Sequence, residues 1–356
     1  LKRINAKLFL ILGLLWAAQV TSARQFYLMT VEPGTEFWSV YGHTALVIDD
    51  DVYGFGVFSF EQKDFYQSFA RNEMTYMVGH TAVEDEVYWA EVEGRKMTML
   101  PLNISVDAQN EIMAYLRWHF KPENQSYAYD YFLQNCATKI RDILDGAMDG
   151  ELQANFSNQG SGSYFSHTFP VNNQSLMTFG LAVAFGHAAY QPRTDWELMA
   201  FPMFLRHSLL QPGMSDWHGE LEVKVNKSDA DSWFQFLKTH LFLMLLTVLM
   251  LLCLGLKPVR KLTINVWLSV QSLVGVILLF LWFGTAHEMA AWNIQLLIFS
   301  PLAVAAIKFL QIRKVLWLFV ILWVPLAIWQ GSWYLWPLIV VNTWVLILMG
   351  RQLKTH

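Results

Sequence analysis

Two residues carry most of the chemistry this sequence can offer. Cys136 opens a stretch, 134–149, that reads as a helix. Asn135 has a side-chain oxygen suited to the N-cap position, which puts Cys136 in the first turn. Partial positive charge at a helix start favours thiolate over thiol, so this is a sensible place for a nucleophile. Ile140, Ile143, Leu144 and Met148 recur at helical spacing, and the sulfur lies on the Ile140 side, toward whatever the helix packs on. A thiol nucleophile needs a base within hydrogen-bond reach. His43 begins a β-rich run, 43–48, and follows Gly42, whose missing side chain lets another backbone or a substrate come close. A strand histidine facing a helix-start cysteine suits thiol acyl transfer. Spacing alone leaves the question open. A free cysteine is often only a small buried thiol, and ten histidines make a chance pairing easy.

Two further residues are candidates for the site. His80, in Gly79-His80-Thr81, could orient His43, or be an ordinary core or surface histidine. Asn135 could aim its amide at the reacting centre, or simply cap the helix. Oxyanion donors would most simply be backbone N–H groups at the helix start, including that of Cys136.

The elements that must hold these residues read as α+β with a mostly antiparallel sheet. Strands are expected at 26–31, 43–48, 52–58, 74–78 and 95–102, with Asp49-Asp50-Asp51 as a solvated hairpin tip. A short helix fits 64–71. Ser105 caps an amphipathic helix that runs to Phe120 and is ended by Pro122. Tyr127, Tyr129 and Tyr131 alternate and lead into the Cys136 helix. Residues 24–150 form the thiol core on this reading. Residues 151–237 form an aromatic extension that covers the site or touches the membrane, with a loop at 155–163 and a strand at 220–225.

The chain has 356 residues, 54% hydrophobic and 15% charged, with 16 tryptophans, which calls for a membrane part. The net charge of −4 gives no reason to expect nucleic acid. Cys253, the other cysteine, lies in an apolar run, so no disulfide framework is expected. Residues 1–23 have a basic start, a short apolar region and small residues near Ala23, the pattern of a secretory signal. Residues 238–356 contain five apolar runs, near 238–256, 264–283, 291–307, 315–330 and 333–349, read as five transmembrane helices. The loops at 257–261 and 308–314 and the tail at 351–354 are basic, whereas those at 284–291 and 330–332 lack Lys and Arg. The positive-inside rule then sets the C-terminus in the cytoplasm and the thiol domain outside, as the signal also demands.

The segments Tyr41-Gly42-His43-Thr44-Ala45, Tyr53-Gly54-Phe55-Gly56 and Tyr127-x-Tyr129-Asp130-Tyr131-Phe132-x-x-Asn135-Cys136-Ala137-Thr138 resemble the exported domain of the Lnb-type bacterial lipoprotein N-acyltransferases. The resemblance covers about 25–205. It implies a permuted papain-like fold similar to that of the lecithin:retinol acyltransferase group, with His before Cys. It also implies an inner-membrane enzyme whose catalytic domain is periplasmic. Cys136 would be the nucleophile and His43 the base. A phospholipid would donate an acyl chain, by way of a Cys thioester, to the α-amine of a diacylglyceryl apolipoprotein, with no metal or cofactor. The same dyad could instead serve a membrane-anchored hydrolase of phospholipid or peptidoglycan.

Overall fold

A computed structural model describes residues 24–34, 39–58, 64–171, 175–226 and 232–352; the expected signal at 1–23 lies outside them. Strands β1 (Phe26–Val31), β2 (His43–Ile48), β3 (Asp51–Val57), β4 (Thr75–Ala82), β5 (Met97–Leu102) and β6 (Ser126–Ala128) form most of a seven-stranded sheet. A small two-stranded sheet pairs β7 (Gln159–Gly162) with β8 (Arg193–Thr194), and β9 (Glu222–Val225) completes the large one. The large sheet runs β6-β4-β3-β2-β1-β5-β9, with every neighbouring pair antiparallel. The mixed α+β class and antiparallel sheet therefore hold.

Alternation along the strands divides the core in two. Leu28, Leu46 and Ile48 face one side with Ile112, Leu116, Ile140 and Leu144. Met29, Val31, Ala45 and Val47 face the other with Ala90. Both faces are covered, so β2 reads as an unbroken apolar run rather than as alternation. Helices α1 (Phe65–Arg71), α2 (Val83–Val92), α3 (Val106–His119) and α4 (Cys136–Ala147) serve this domain. Ser105 caps α3 by accepting from the Ala108 N–H. The stretch 155–163, expected as a loop, instead holds the end of a helical turn at Glu151–Phe156 and then β7.

Helices α5 (Tyr164–Val171), α6 (Ser175–Ala184) and α7 (Pro202–Leu209) lead to the apolar part, which contains α8 (Ser232–Gly255), α9 (Lys257–Phe283), α10 (Leu310–Gln330) and α11 (Trp336–Gln352). One continuous apolar cluster joins Phe132, Tyr164, Phe185 and Phe201 to Leu268, Val320 and Val345. The aromatic extension is thus packed into the membrane part as well as onto the thiol domain.

The expected five-helix bundle needs correction. Among the described residues three segments are long and apolar enough to cross a membrane, Lys257–Phe283, Leu310–Gln330 and Trp333–Arg351, and His240–Gly255 is a shorter apolar helix. The third apolar run of the sequence, 291–307, is no helix. It consists of 3₁₀ turns at Ile294–Leu297 and Ala303–Ile307. Trp292 sits at φ 54°, and Pro301 supplies no N–H. Away from water such backbone must find partners within the protein. Gln271 and Asn342 amides both donate to the Ile298 carbonyl, at 2.9 and 3.2 Å, and the Ser272 hydroxyl accepts from the Val304 N–H at 2.8 Å. Trp323 donates to the Gln295 side chain at 2.9 Å. The segment lies tight against α9, where a Cβ on Gly275 would meet the Phe299 carbonyl oxygen at 2.2 Å and the Pro301 nitrogen at 2.6 Å. Gly275→Ala should therefore force the segment off α9 and cost about 1–3 kcal/mol. Thermal unfolding in detergent should show a clearly lowered midpoint; an unchanged midpoint would contradict this packing.

Candidate active site

The site forms where the β2–β3 ladder ends. Its register runs from Ile48↔Asp51 to Ala45↔Gly54, after which β3 bulges between Phe55 and Val57. His43 and Thr44 lie beyond the last paired position. Gly42 precedes them at φ 81°, and a Cβ there would meet the Val31 carbonyl oxygen at 2.7 Å, so only glycine fits this approach of β2 to β1. Thr44 is fully buried and ties the strands together by donating its hydroxyl to the Met29 carbonyl at 2.7 Å. The imidazole of His43 lies over Gly54, with Nε2 3.5 Å from where a Cβ would stand. A larger residue at 54 would crowd the ring.

Helix α4 brings Cys136 to this spot. Asn135 builds a capping box with Thr138: its Oδ1 accepts from the Thr138 N–H at 2.9 Å, and its own N–H donates to Thr138 Oγ1 at 2.8 Å. Its Nδ2 donates to the carbonyls of Tyr131 and Ala200, each at 2.8 Å. Every polar atom of the Asn135 side chain is therefore spent on holding the helix start. Its role is the cap, not a contact with reacting atoms. Behind it Ile140 and Leu144 are fully buried.

Cys136 hydrogen-bonds the His43 side chain and the backbone N–H groups of Thr44 and Ala137. Burial pushes its thiol up, but the charge and hydrogen bond of His43 and the two N–H donors outweigh this, and the net shift is downward. Cys136, His43, Tyr41 and Tyr129 all keep partial solvent access. Tyrosines wall the site. Tyr129 stacks on Tyr76 with ring centres 4.1 Å apart and meets Tyr131 edge-on at 5.6 Å. Tyr41 meets Phe201 edge-on at 6.0 Å. Burial, followed by the charge on Cys136, raises the Tyr127 and Tyr129 hydroxyls well above their usual range, so both stay neutral.

His80 is not part of this site. It pairs across the sheet with Tyr53, and its Nε2 lies 3.0 Å from an Asp51 carboxylate oxygen at the hairpin end, with the side chain about half exposed. Strand parity explains the displacement. His80 adjoins Gly79, which lies opposite Gly54, so its ring points to the face away from the His43 imidazole. Among the described residues no group of three or more His, Cys, Asp or Glu could hold a metal ion.

Spacing alone could not reveal Thr44 and Ala137 as N–H donors to the sulfur. The tyrosine alternation was visible, but its meaning as a wall was not.

Residues 16–172 match the family model of the Lnb N-terminal periplasmic domain. The matched stretch contains His43, Cys136 and the tyrosines between them, and it supports Lnb-family membership. No curated protein and no solved structure matches the chain. Over residues 16–172 the chain is thus similar to the Lnb N-terminal periplasmic domain, and beyond them it carries three segments long and apolar enough to cross a membrane.

The lowered thiol sets the pH behaviour of Cys136. A depressed thiol keeps its thiolate at pH values where an ordinary cysteine, with pKa about 8.5, is protonated. Iodoacetamide labelling of Cys136 should therefore hold its rate to lower pH than a free thiol does. In His43→Ala the midpoint should rise by about one pH unit or more. An identical profile in the two proteins would refute the contact.

Proposed function

We propose that the protein is a lipoprotein N-acyltransferase that works through a thioester on Cys136. The observation that carries the reading is the hydrogen bond between Cys136 and His43 at the start of α4, reinforced by the Thr44 and Ala137 N–H groups. The order His before Cys, with the cysteine helix packed on an antiparallel sheet, agrees with a permuted papain-like arrangement.

In the first half-reaction the Cys136 thiolate attacks the ester carbonyl of a phospholipid acyl chain. His43, carrying the thiol proton, gives it to the departing lysophospholipid oxygen. In the second, the neutral α-amine of a diacylglyceryl apolipoprotein attacks the thioester. His43 takes the amine proton, and the thiolate leaves. Two steps with a good leaving group replace one difficult aminolysis of an ester. The positive field of the α4 start and the nearby backbone N–H groups favour the oxyanion of both tetrahedral intermediates.

The membrane part supports the same reading. Trp282, Phe283, Trp292, Trp329 and Trp333 gather at the ends of α9 and α10 and around the turns that follow them, as an interfacial aromatic belt would. Tyr131, five residues before Cys136, stacks on His287 just beyond that belt, with ring centres 6.2 Å apart. Both substrates are lipid-anchored, so a thiol held at this level meets them by lateral diffusion. The basic start of α10 and the end of α11 share one side. Arg313 donates to the carbonyls of Ala306, Ile307 and Met349, and Arg260 to those of Leu254 and Gly255. On this reading 291–307 crosses as a non-helical segment sheltered by its neighbours, the thiol domain is periplasmic, and the C-terminus is cytoplasmic.

Purified protein incubated with labelled phospholipid and a diacylated lipopeptide should yield N-acyl lipopeptide and lysophospholipid. Cys136→Ala should abolish product, and His43→Ala should lower the rate by about 10²-fold or more. Free fatty acid without N-acyl product would favour the hydrolase instead.

A further inference from the structure

The nucleophile's turn is tied to the membrane part through the side chain of Asn72. This residue ends α1 in the left-handed conformation, φ 57°, and its backbone N–H caps the Phe69 and Ser68 carbonyls. Its Nδ2 then donates twice, to Asp130 Oδ2 at 3.2 Å and to the Ala286 carbonyl at 3.3 Å. The first bond reaches the turn before Cys136; the second reaches the loop after α9. Each side is itself stiff. Asp130 Oδ1 accepts from the N–H groups of Phe132 and Leu133 at 2.9 and 2.8 Å, and the backbones of Asp130 and Gln134 exchange two hydrogen bonds of 3.1 Å. The Ala286 N–H donates to the Arg71 carbonyl at 2.8 Å. One residue further, the His287 imidazole hydrogen-bonds the Ala70 carbonyl and lies flat on Tyr131, at 15° between planes. The loop continues onto the aromatic extension, where the Gly186 N–H donates to the Met289 carbonyl at 2.7 Å.

We infer that Asn72 and His287 are positioning residues, a clamp through which the membrane part holds the 130–135 turn and hence the register of Cys136 against His43. The inference rests on the acyl-transfer reading for its purpose but not for its geometry. A thiolate stabilised by one imidazole and two N–H donors depends on the angle at which α4 begins, and Asn135 fixes that angle only relative to Tyr131 and Ala200. Asn72 and His287 fix where Asp130 and Tyr131 themselves stand. The helices are then a structural half of the catalytic unit rather than an anchor.

The test uses the full chain in detergent and reads Cys136 directly. Asn72→Gly keeps the left-handed backbone and removes only the amide; His287→Ala removes the ring, and His287→Phe restores a flat ring without the imidazole. Misplacing a reacting group by about 1 Å costs on the order of 10²-fold. Asn72→Gly and His287→Ala should therefore slow iodoacetamide labelling of Cys136 at neutral pH by about tenfold or more. The pH midpoint should move toward that of an ordinary thiol, and His287→Phe should recover most of the loss. In acyl transfer kcat should fall by more than KM rises, since the clamp sets the register of the sulfur. Wild-type labelling rate and midpoint in either folded Asn72→Gly or folded His287→Ala would overturn the clamp. Should Asn72→Gly fail to fold, the His287 pair carries the same decision. Labelling needs no acyl substrate, so an absence of N-acyl product from the wild-type protein would count against the proposed function alone.

Discussion

The structure depends on one contact, a thiol at the start of a helix against an imidazole at the start of a strand. Neither group is special by itself. A helix terminus alone lowers a cysteine modestly, and burial pushes the other way. The balance tips because β2 and β3 part beyond Ala45↔Gly54, and the sulfur reaches both the His43 ring and the Thr44 N–H at that point. Gly42, Gly54 and the β3 bulge each make room there, while the Thr44 hydroxyl holds β2 to β1. Buried helix residues and the Asn135 capping box then fix where the helix can begin. Stability and reactivity are arranged by the same few residues.

The second constraint is the shared apolar cluster. Phe132, four residues before the nucleophile, packs with Tyr164, Phe185 and Phe201, and these continue into α9, α10 and α11. Independent domains on a tether would not share a core in this way. The non-helical 288–307 stretch follows from the same union. It gives up its own helical hydrogen bonds and takes replacements from Gln271, Ser272 and Asn342, which needs those helices in place around it.

Much of the site was legible in the sequence because its signals are local. The N-cap at Asn135, the helical spacing of Ile140 and Leu144 and the apolar run after His43 each depend on neighbours along the chain. What could not be read depends on residues far apart. His80 is a candidate to orient His43 on sequence alone, but strand pairing puts it beside Asp51 and Tyr53. Helix α2 leaves little trace in the sequence because it buries little beyond Ala90, and its acidic first turn, Glu84, Asp85 and Glu86, is the one local signal. The run 291–307 has the hydropathy of a span, yet Pro301 and the close approach to Gly275 decide against a helix. Asn72 and His287 carry no sequence signal, since their meaning lies in partners more than fifty residues away.

Intact-mass analysis of the purified protein incubated with phospholipid, without any acceptor, bears most directly on the chemistry. A single added acyl mass, mapped to Cys136 and released by neutral hydroxylamine, is expected, and adding the lipopeptide should discharge it at the rate of product formation. Formation of N-acyl product with no acyl group ever detected on Cys136, or by a protein lacking that sulfur, would contradict the thioester and with it the role given to the His43–Cys136 contact.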